Sequence, residues 1–362
     1  MDEQTPLSTL CREWGRIGCI GFGGPPTHIA LLRRLCVERR RWLDAEDFED
    51  AIAACNLLPG PASTQLAIYC AWRLRGRIGA LVGGVSFIVP GLLLIVALAA
   101  LFLESSPPRW VLGAGAGAGA AVAAVALHAG WSLVPASWQR GQRHRVRWLL
   151  YLLAGGAAAA TIGPWLVLVL LGAGAIELVL ERGMPVPGAV SIAPLVWVAF
   201  KVGALSYGGG FVIVPLMQAD AVNRYHWLTA GQFLNAVALG QITPGPVVQT
   251  VAAVGYAAAG VGGAFLAALV AFSPSFAFVL LGGRRFDLIR RDGRARAFLG
   301  GAGPAAIGAI LGSAIPLARA LQDGWQYAVL AAAAVLLLGL RRGVVTTLLL
   351  AGAAGVIVTL SR

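Results

Sequence analysis

Two Pro-Gly-Pro triplets interrupt apolar segments of this chain. The first is Pro59-Gly60-Pro61, and the second is Pro244-Gly245-Pro246. Proline removes a backbone donor and glycine permits dihedral angles that other residues avoid, so each triplet must interrupt a helix. The helix that restarts after a triplet presents unpaired N–H groups and the positive end of its dipole. We therefore expect each triplet to create a helix N-terminus that binds an anion.

Polar side chains near each triplet add hydrogen-bonding groups. Thr64 and Gln65 follow the first triplet, and Gln249 and Thr250 follow the second. A proline kink relaxed by neighbouring helices is the alternative, but the same break at matched places in the chain favours a binding site. The residues around the triplets that are predicted to contact a ligand are Asn56, Pro59, Gly60, Pro61, Thr64, Gln65, Gln241, Thr243, Pro244, Gly245, Pro246, Gln249 and Thr250.

A glycine-rich segment precedes each triplet. Gly23-Gly24-Pro25 lies in the first half of the chain, and Gly208-Gly209-Gly210 lies in the second. Glycine lets the backbone come close to another helix or to a ligand, and the sequence leaves both interpretations open. We predict that these segments line the site. The residues concerned are Gly23, Gly24, Pro25, Gly208 and Gly209.

Arg16 and Lys201 place positive charge inside apolar segments. Their separation along the chain equals that of the two triplets, and each precedes by two positions a glycine that both halves share, Gly18 or Gly203. A buried cation is costly in a membrane and is usually functional. We predict that the two cations converge on an oxyanion. The alternative for Arg16 is an ion pair with Glu13.

The remaining reactive side chains point to no further chemistry. His28 follows the first glycine-rich segment, and we predict that it relays protons. Five cysteines lie in the first half of the chain without CxxC spacing or a His/Cys pattern that suits zinc, so we expect free thiols and no metal site. The apolar segments hold no evident nucleophile with a matching base. This pattern argues against an intramembrane enzyme, and no cofactor is expected.

The composition places these motifs in a lipid bilayer. Hydrophobic residues make up 58% of the 362 residues, charged residues make up 12%, and the mean hydropathy is +0.77. This composition indicates a polytopic membrane protein. The net charge is +12, but the arginines form short clusters between apolar runs, which is typical of topology-setting residues and not of nucleic-acid binding. No cleaved signal peptide is expected, because no cationic region precedes the first apolar run.

The two halves of the chain align without a gap around the triplets. Residues of the same type recur at one constant offset in residue number. Examples are Gly18 and Gly203, Trp42 and Trp227, and Phe48 and Phe233. We therefore predict two repeats, residues 1–181 and 192–362, joined by a linker at 182–191. A transporter built in this way has its binding site where the breaks meet.

Arginine clusters decide how the apolar runs cross the membrane. The strongly basic segments are 33–41, 73–77, 140–147 and 284–296. If each Pro-Gly-Pro run (51–71 and 232–256) enters and returns on one side, all basic segments lie in the cytoplasm, as the positive-inside rule requires. The predicted fold is therefore an all-α polytopic membrane protein with two inverted-topology repeats, about ten spans and two broken, re-entrant helices. With run 7–32 counted as a span, both termini are predicted to lie outside.

These motifs resemble the CHR family of chromate ion transporters, in its two-domain, long-chain type. The segments that carry the resemblance are Gly21-Phe22-Gly23-Gly24-Pro25, Trp42-Leu43, Leu58-Pro59-Gly60-Pro61, Gln65-Leu66-Ala67 and Thr243-Pro244-Gly245-Pro246. Asn56 departs from the family pattern, which has glutamine there, as the second repeat does at Gln241. The resemblance implies an antiporter that exports chromate across the bacterial inner membrane. Export would be driven by the membrane potential or a proton gradient and would give chromate resistance.

The residues alone leave other functions open. A transporter of sulfate or another oxyanion, or an anion channel on the same scaffold, would use the same helix N-termini. The partners expected are a small inorganic oxyanion and the lipid bilayer but no nucleic acid, and a homodimer is compatible with the sequence. In a transporter, rocking of one repeat against the other would alternate access to the site.

Overall fold

A computed structural model describes residues 5–22, 24–57, 60–103, 107–140, 144–161, 166–182, 213–282 and 293–362. These residues form thirteen α-helices, and the described part contains no strand. The helices are α1 (Leu7–Ile20), α2 (Pro25–Arg33), α3 (Ala45–Leu57), α4 (Ala62–Phe102), α5 (Arg109–Arg140), α6 (Arg145–Thr161), α7 (Leu166–Arg182), α8 (Ile213–Gln218), α9 (Ala230–Ile242), α10 (Thr250–Gly282), α11 (Gly293–Arg319), α12 (Gly324–Ala334) and α13 (Val344–Ser361). Within this described part, segments in five helices (α4, α5, α10, α11 and α13) are long and apolar enough to cross a membrane. The predicted all-α membrane fold is confirmed.

Gly60 and Pro61 of the first triplet lie at the tip of a helical hairpin. One arm is α3, with 13 residues, and the other is the start of α4, which is interrupted at Gly76 (φ +59°, ψ −146°). Arg73 Nη2 donates to Asp47 Oδ2 over 2.7 Å, so the beginning of α3 lies beside the end of the other arm. Each arm is about 20 Å long, shorter than the hydrocarbon core of a bilayer. An element that enters the membrane and returns on the same side requires two such short arms lying side by side.

The second repeat forms the same hairpin, shortened by a single position. A 3₁₀ turn at Val247–Gln249 leads into α10, which is interrupted at Gly260 with nearly the dihedrals of Gly76 (φ +61°, ψ −153°). The interruption therefore follows the second triplet one position sooner than it follows the first. The second repeat thus lacks one position that the first repeat has between the triplet and the interruption. When this missing position is allowed for, Gln65 corresponds to Gln249, and Pro90 corresponds to Pro274.

A further hairpin, made by α1 and α2, corrects the prediction that run 7–32 spans the membrane. Arg40 Nη2 donates to Glu13 Oε1 over 3.0 Å, and the rings of Trp14 and Trp42 stack with centroids 6.3 Å apart. The middle of α1 thus lies beside the segment that follows α2. Run 7–32 therefore does not form one continuous membrane-spanning helix.

The base of this hairpin lies beside the base of the Pro-Gly-Pro hairpin. Arg75 Nη1 donates to the carbonyl oxygen of Thr5 over 3.3 Å. The chain reverses at Gly24, whose φ of +76° favours glycine, and Pro25 then begins α2. Among the described helices, neither arm is long and apolar enough to cross a membrane by itself.

We therefore expect the N-terminus to share a side with the arginines at 33–41, and to be cytoplasmic by the positive-inside rule. The measurement compares a fluorescent-protein or alkaline-phosphatase reporter at residue 1 with the same reporter inserted at residue 44. Both positions should report the cytoplasm. Reporters on opposite sides of the membrane would contradict the hairpin.

The two repeats interlock through their later helices. In the second half, α11 packs along α6 and α7, and in the first half, α5 packs along α12 and α13. Small residues allow backbones to touch: Gly308 lies against the Leu152 carbonyl, and Gly117 lies against the Ala351 carbonyl. Gly117 belongs to the alternating Gly-Ala run at 113–119, which serves helix packing.

This packing defines two bodies that do not follow the halves of the sequence. A hairpin body comprises α1–α4 and α10, with α4 and α10 in contact, and a scaffold body comprises α5–α7 and α11–α13. Helix α9 lies between them, because it packs on α5 and α13 as well as on α4 and α10. Rocking of residues 1–181 against 192–362 as rigid halves would pull apart the interlocked helices of the scaffold. The expected rocking of one repeat against the other is therefore incompatible with this packing.

Candidate functional site

Several predicted site residues lie outside the described residues. These are Gly23, Pro59, Lys201, Gly208 and Gly209. Asn56 lies near the end of α3, and its side chain is likewise outside the described part. The site is therefore built from the remaining predicted residues and their neighbours.

The second Pro-Gly-Pro triplet meets the reversal between α1 and α2. The backbone N–H of Gly245, which has a φ of +102°, donates to the carbonyl of Gly21 over 3.1 Å. A Cβ atom placed on Gly24 would lie 3.8 Å from a methyl carbon of Val247. Breaks from opposite repeats thus meet in the hairpin body. This is where a two-repeat transporter places its substrate.

His28 joins this meeting point to the first Pro-Gly-Pro hairpin. Its Nε2 lies 2.8 Å from the same Gly21 carbonyl, and its Nδ1 lies 3.2 Å from Oγ of Ser63. A carbonyl only accepts, so Nε2 carries a proton, and in the neutral ring Nδ1 accepts from the serine hydroxyl. Ser63 lies in the first turn of α4. The fully buried imidazole therefore holds the reversal and the first break together.

Polar atoms without partners mark the surroundings of the breaks. Each belongs to a side chain that is more than nine-tenths buried, and each makes no hydrogen bond. They are Thr64 Oγ1, Gln241 Nε2, Gln249 Oε1 and Ser275 Oγ. An unmet buried polar group destabilises a protein by about 1–3 kcal/mol. Such groups are therefore candidates for contact with a ligand.

The second triplet packs tightly onto α4. Gln249 Nε2 donates to the Ile88 carbonyl over 2.8 Å, which fixes the amide with Oε1 unpaired. At Gly91, a Cβ atom would collide with the Pro244 carbonyl and lie 2.5 Å from Gln249 Oε1. The hydroxyls of the neighbouring threonines bond within their own turn. Thr243 donates to the Leu239 carbonyl, and Thr250 donates to the Val247 carbonyl.

Arg16 lies in an ion-pair cluster and not beside the triplets. Its Nε is 3.7 Å from Oε2 of the buried Glu13, and Arg39 and Arg40 approach the same carboxylate at 3.9 and 3.0 Å. The arginine side chain is 52% exposed. Pairing with Glu13, the alternative named for Arg16, is thus present in the structure. Convergence of Arg16 with Lys201 stays a prediction.

A cavity of about 330 Å³ opens between α1 and α2. Three arginines and four aliphatic residues line it. They are Arg16, Arg34, Arg39, Ile17, Ile20, Leu31 and Leu35. Ile20, one of the lining residues, directly precedes Gly21 in the chain. The guanidinium groups of the cavity favour anions.

In the described part of the chain, the cysteines and other possible ligands form no group that could hold a metal ion. All five cysteines are free, and no group of three His, Cys, Asp or Glu side chains among the described residues has the geometry to hold a metal ion. Sequence reasoning missed Ser63, Gly91 and Ser275. Gly91 and Ser275 directly follow Pro90 and Pro274, which occupy matched positions in the two repeats. This match is the signal that could have identified both residues.

Two repeats with broken helices, apolar spans and unmet polar groups at the breaks define a multi-pass membrane transporter. A family model described as chromate transporter matches residues 8–178 and again residues 193–357. The chain belongs to the chromate transporter family.

Three relatives show how much of the chain this similarity covers. A chromate transport protein of Cupriavidus metallidurans is 33% identical over 96% of this chain and 92% of its own length. A chromate transport protein of Pseudomonas aeruginosa is 29% identical over 84% of this chain and 79% of its own. A probable chromate transport protein of Synechococcus elongatus is 28% identical over 86% and 85%. No solved structure matches the chain.

Proposed function

We propose that this protein is an antiporter that exports chromate across the bacterial inner membrane and gives chromate resistance. Export is driven by the membrane potential or a proton gradient. The observation that carries the proposal is the meeting of the breaks at the Gly21 carbonyl, with unpaired polar atoms of Thr64, Gln241 and Gln249 close in sequence to the triplets. The names of the relatives support chromate as the substrate.

The binding site is proposed to use hydrogen-bond donors of both repeats. A helix that restarts after a triplet offers the positive end of its dipole to a divalent anion. Thr64 and Gln241 add a hydroxyl and an amide donor that no protein atom occupies. Lys201, the one lysine of the chain, is proposed as the cation that neutralises the bound anion.

The arginine-lined cavity is proposed as the vestibule on the cytoplasmic side. Its guanidinium groups raise the local concentration of oxyanions, and screening by salt limits this effect to about 10 Å at moderate ionic strength. Arg16 acts there in the capture of the anion. The carboxylate of Glu13 holds Arg16, Arg39 and Arg40 at one edge of the cavity and offsets the repulsion between their positive charges.

Alternating access is proposed to come from movement of the hairpin body against the scaffold body. The hairpin body carries the breaks, whereas the scaffold is held by close glycine contacts between the repeats. The movement opens the meeting point of the breaks to one side of the membrane at a time. Discontinuous helices at the centre of the bilayer suit this mechanism.

The test is uptake of radiolabelled chromate into everted membrane vesicles that contain the protein. We expect energised vesicles to accumulate chromate above vesicles without the protein. Separate ionophores for the membrane potential and for the pH difference identify the driving force. Flux that never exceeds equilibrium would indicate an anion channel. Accumulation of sulfate in place of chromate would indicate another oxyanion transporter. Either result would overturn the proposal.

A further inference from the structure

Ser275 differs from other serines in the helices of the described chain. Four of those serines donate their hydroxyl to the carbonyl three residues earlier. They are Ser132, Ser273, Ser313 and Ser361. Ser275 is fully buried in α10, yet its Oγ makes no hydrogen bond. Its hydroxyl therefore does not donate to a backbone carbonyl of its own helix, as the hydroxyls of the other four serines do.

The repeat relation places Ser275 opposite the first break. Pro90 corresponds to Pro274, so Gly91 corresponds to Ser275. Gly91 lies against the second triplet, at the Pro244 carbonyl. Because the repeats are equivalent, Ser275 should lie against the corresponding part of the first repeat, which is the start of α4.

A direct contact supports this placement. Phe276, the next residue, packs on α4: a Cβ atom at Gly84 would lie 2.5 Å from its ring and 2.8 Å from Cγ1 of Ile68. Ile68 stands four residues after Thr64, one turn further along the same arm. The stretch of α10 at Ser275 thus faces the first turns of α4, where the Thr64 hydroxyl is also fully buried and unpaired.

The two breaks are therefore not equivalent. At the second break the glycine at 91 lets the backbone pack closely, and protein atoms already occupy the Gly245 N–H and the Gln249 amide nitrogen. At the first break, the serine at 275 stands in place of glycine and supplies a hydroxyl. The unmet donor near the second triplet is the Gln241 amide, whereas the first break has the unpaired hydroxyls of Thr64 and Ser275.

We propose that the oxyanion binds on one side of the pseudosymmetric centre, between the first turn of α4 and Ser275. The hydroxyls of Thr64 and Ser275 donate to its oxygens at the positive end of the α4 dipole, while the second break supports the site from behind. This inference rests on the proposed function and deepens it. It assigns to Ser275 a direct contact with a tetrahedral oxyanion.

The test compares the KM for chromate in everted vesicles between single variants. Ser275→Ala and Thr64→Val should each raise KM about tenfold or more, because each removes a hydrogen bond to a charged ligand. Thr64→Ser should restore a KM near that of the parent protein. Ser273→Ala, two residues away on the same helix with its hydroxyl bonded to Val270, is the matched control and should leave KM unchanged.

The outcomes separate this inference from the proposed function. Absence of chromate uptake by the parent protein would contradict the proposed function itself. Normal uptake, with Ser275→Ala matching Ser273→Ala in KM, would overturn the asymmetric site alone. An equal rise in KM for Gln249→Leu, at an unchanged melting temperature, would show that both breaks bind and would also overturn it.

Discussion

Gly91→Ala is expected to lower chromate transport about tenfold or more and to destabilise the protein by about 1–3 kcal/mol. The added methyl group would collide with the Pro244 carbonyl and approach Gln249 Oε1. A backbone carbonyl cannot move aside as the end of a flexible side chain can. The second triplet would be pushed off α4, and its contact with the reversal between α1 and α2 would be disturbed. Vesicle uptake and the melting temperature of the purified protein measure both effects.

Gly262→Ala is the matched control for this prediction. Gly262 lies in α10, and a Cβ atom there would meet nothing within 4 Å. The same substitution should therefore leave transport unchanged and slightly favour the helix. Normal transport by Gly91→Ala would mean that the close packing of the second break is not required for function.

His28→Ala is expected to abolish most transport, whereas His28→Gln should retain a large part of it. Alanine removes the donor to the Gly21 carbonyl and leaves the Ser63 hydroxyl without a partner, at about 1–3 kcal/mol for the buried group. Glutamine places an amide nitrogen near the position of Nε2. Energised uptake and equilibrium exchange, measured for both variants, give the comparison.

The same pair of variants decides between two roles for His28. If the imidazole relays protons, as the sequence predicts, His28→Gln would exchange chromate but fail to accumulate it on a proton gradient. We expect accumulation to persist, because both ring nitrogens are engaged by protein and hold the breaks together. Loss of accumulation by a stable His28→Gln protein would favour the relay and contradict the positioning role.

The sequence alone was enough to predict the breaks and the two repeats. Proline and glycine act locally, so Pro59-Gly60-Pro61 and Pro244-Gly245-Pro246 interrupt helices whatever surrounds them. The membrane class was also predictable, because mean hydropathy depends on composition and not on which residues are in contact. Features that depend on contacts across the chain were harder to predict.

The hairpin of α1 and α2 shows why. Run 7–32 reads as one mainly apolar stretch, and the contacts of Glu13 with Arg40 and of Trp14 with Trp42 reveal that the chain doubles back. The side chain of Ser275 was overlooked for another reason. The offset between the repeats shortens by one position after the triplets, so an ungapped comparison pairs Ser275 with Pro90 instead of Gly91. Interlocking of α5 and α11 with helices of the other repeat has no local signal at all.

Anomalous diffraction at the chromium edge, from crystals of the protein grown with chromate, tests the proposed binding site most directly. Chromium is the one strong scatterer at that wavelength, so the anion can be located without interpretation of side-chain density. We predict a chromium peak about 4 Å from Thr64 Oγ1 and Ser275 Oγ, as expected when each hydroxyl donates to a chromate oxygen. A peak confined to the cavity lined by Arg16, Arg34 and Arg39, with none at the breaks, would contradict this site.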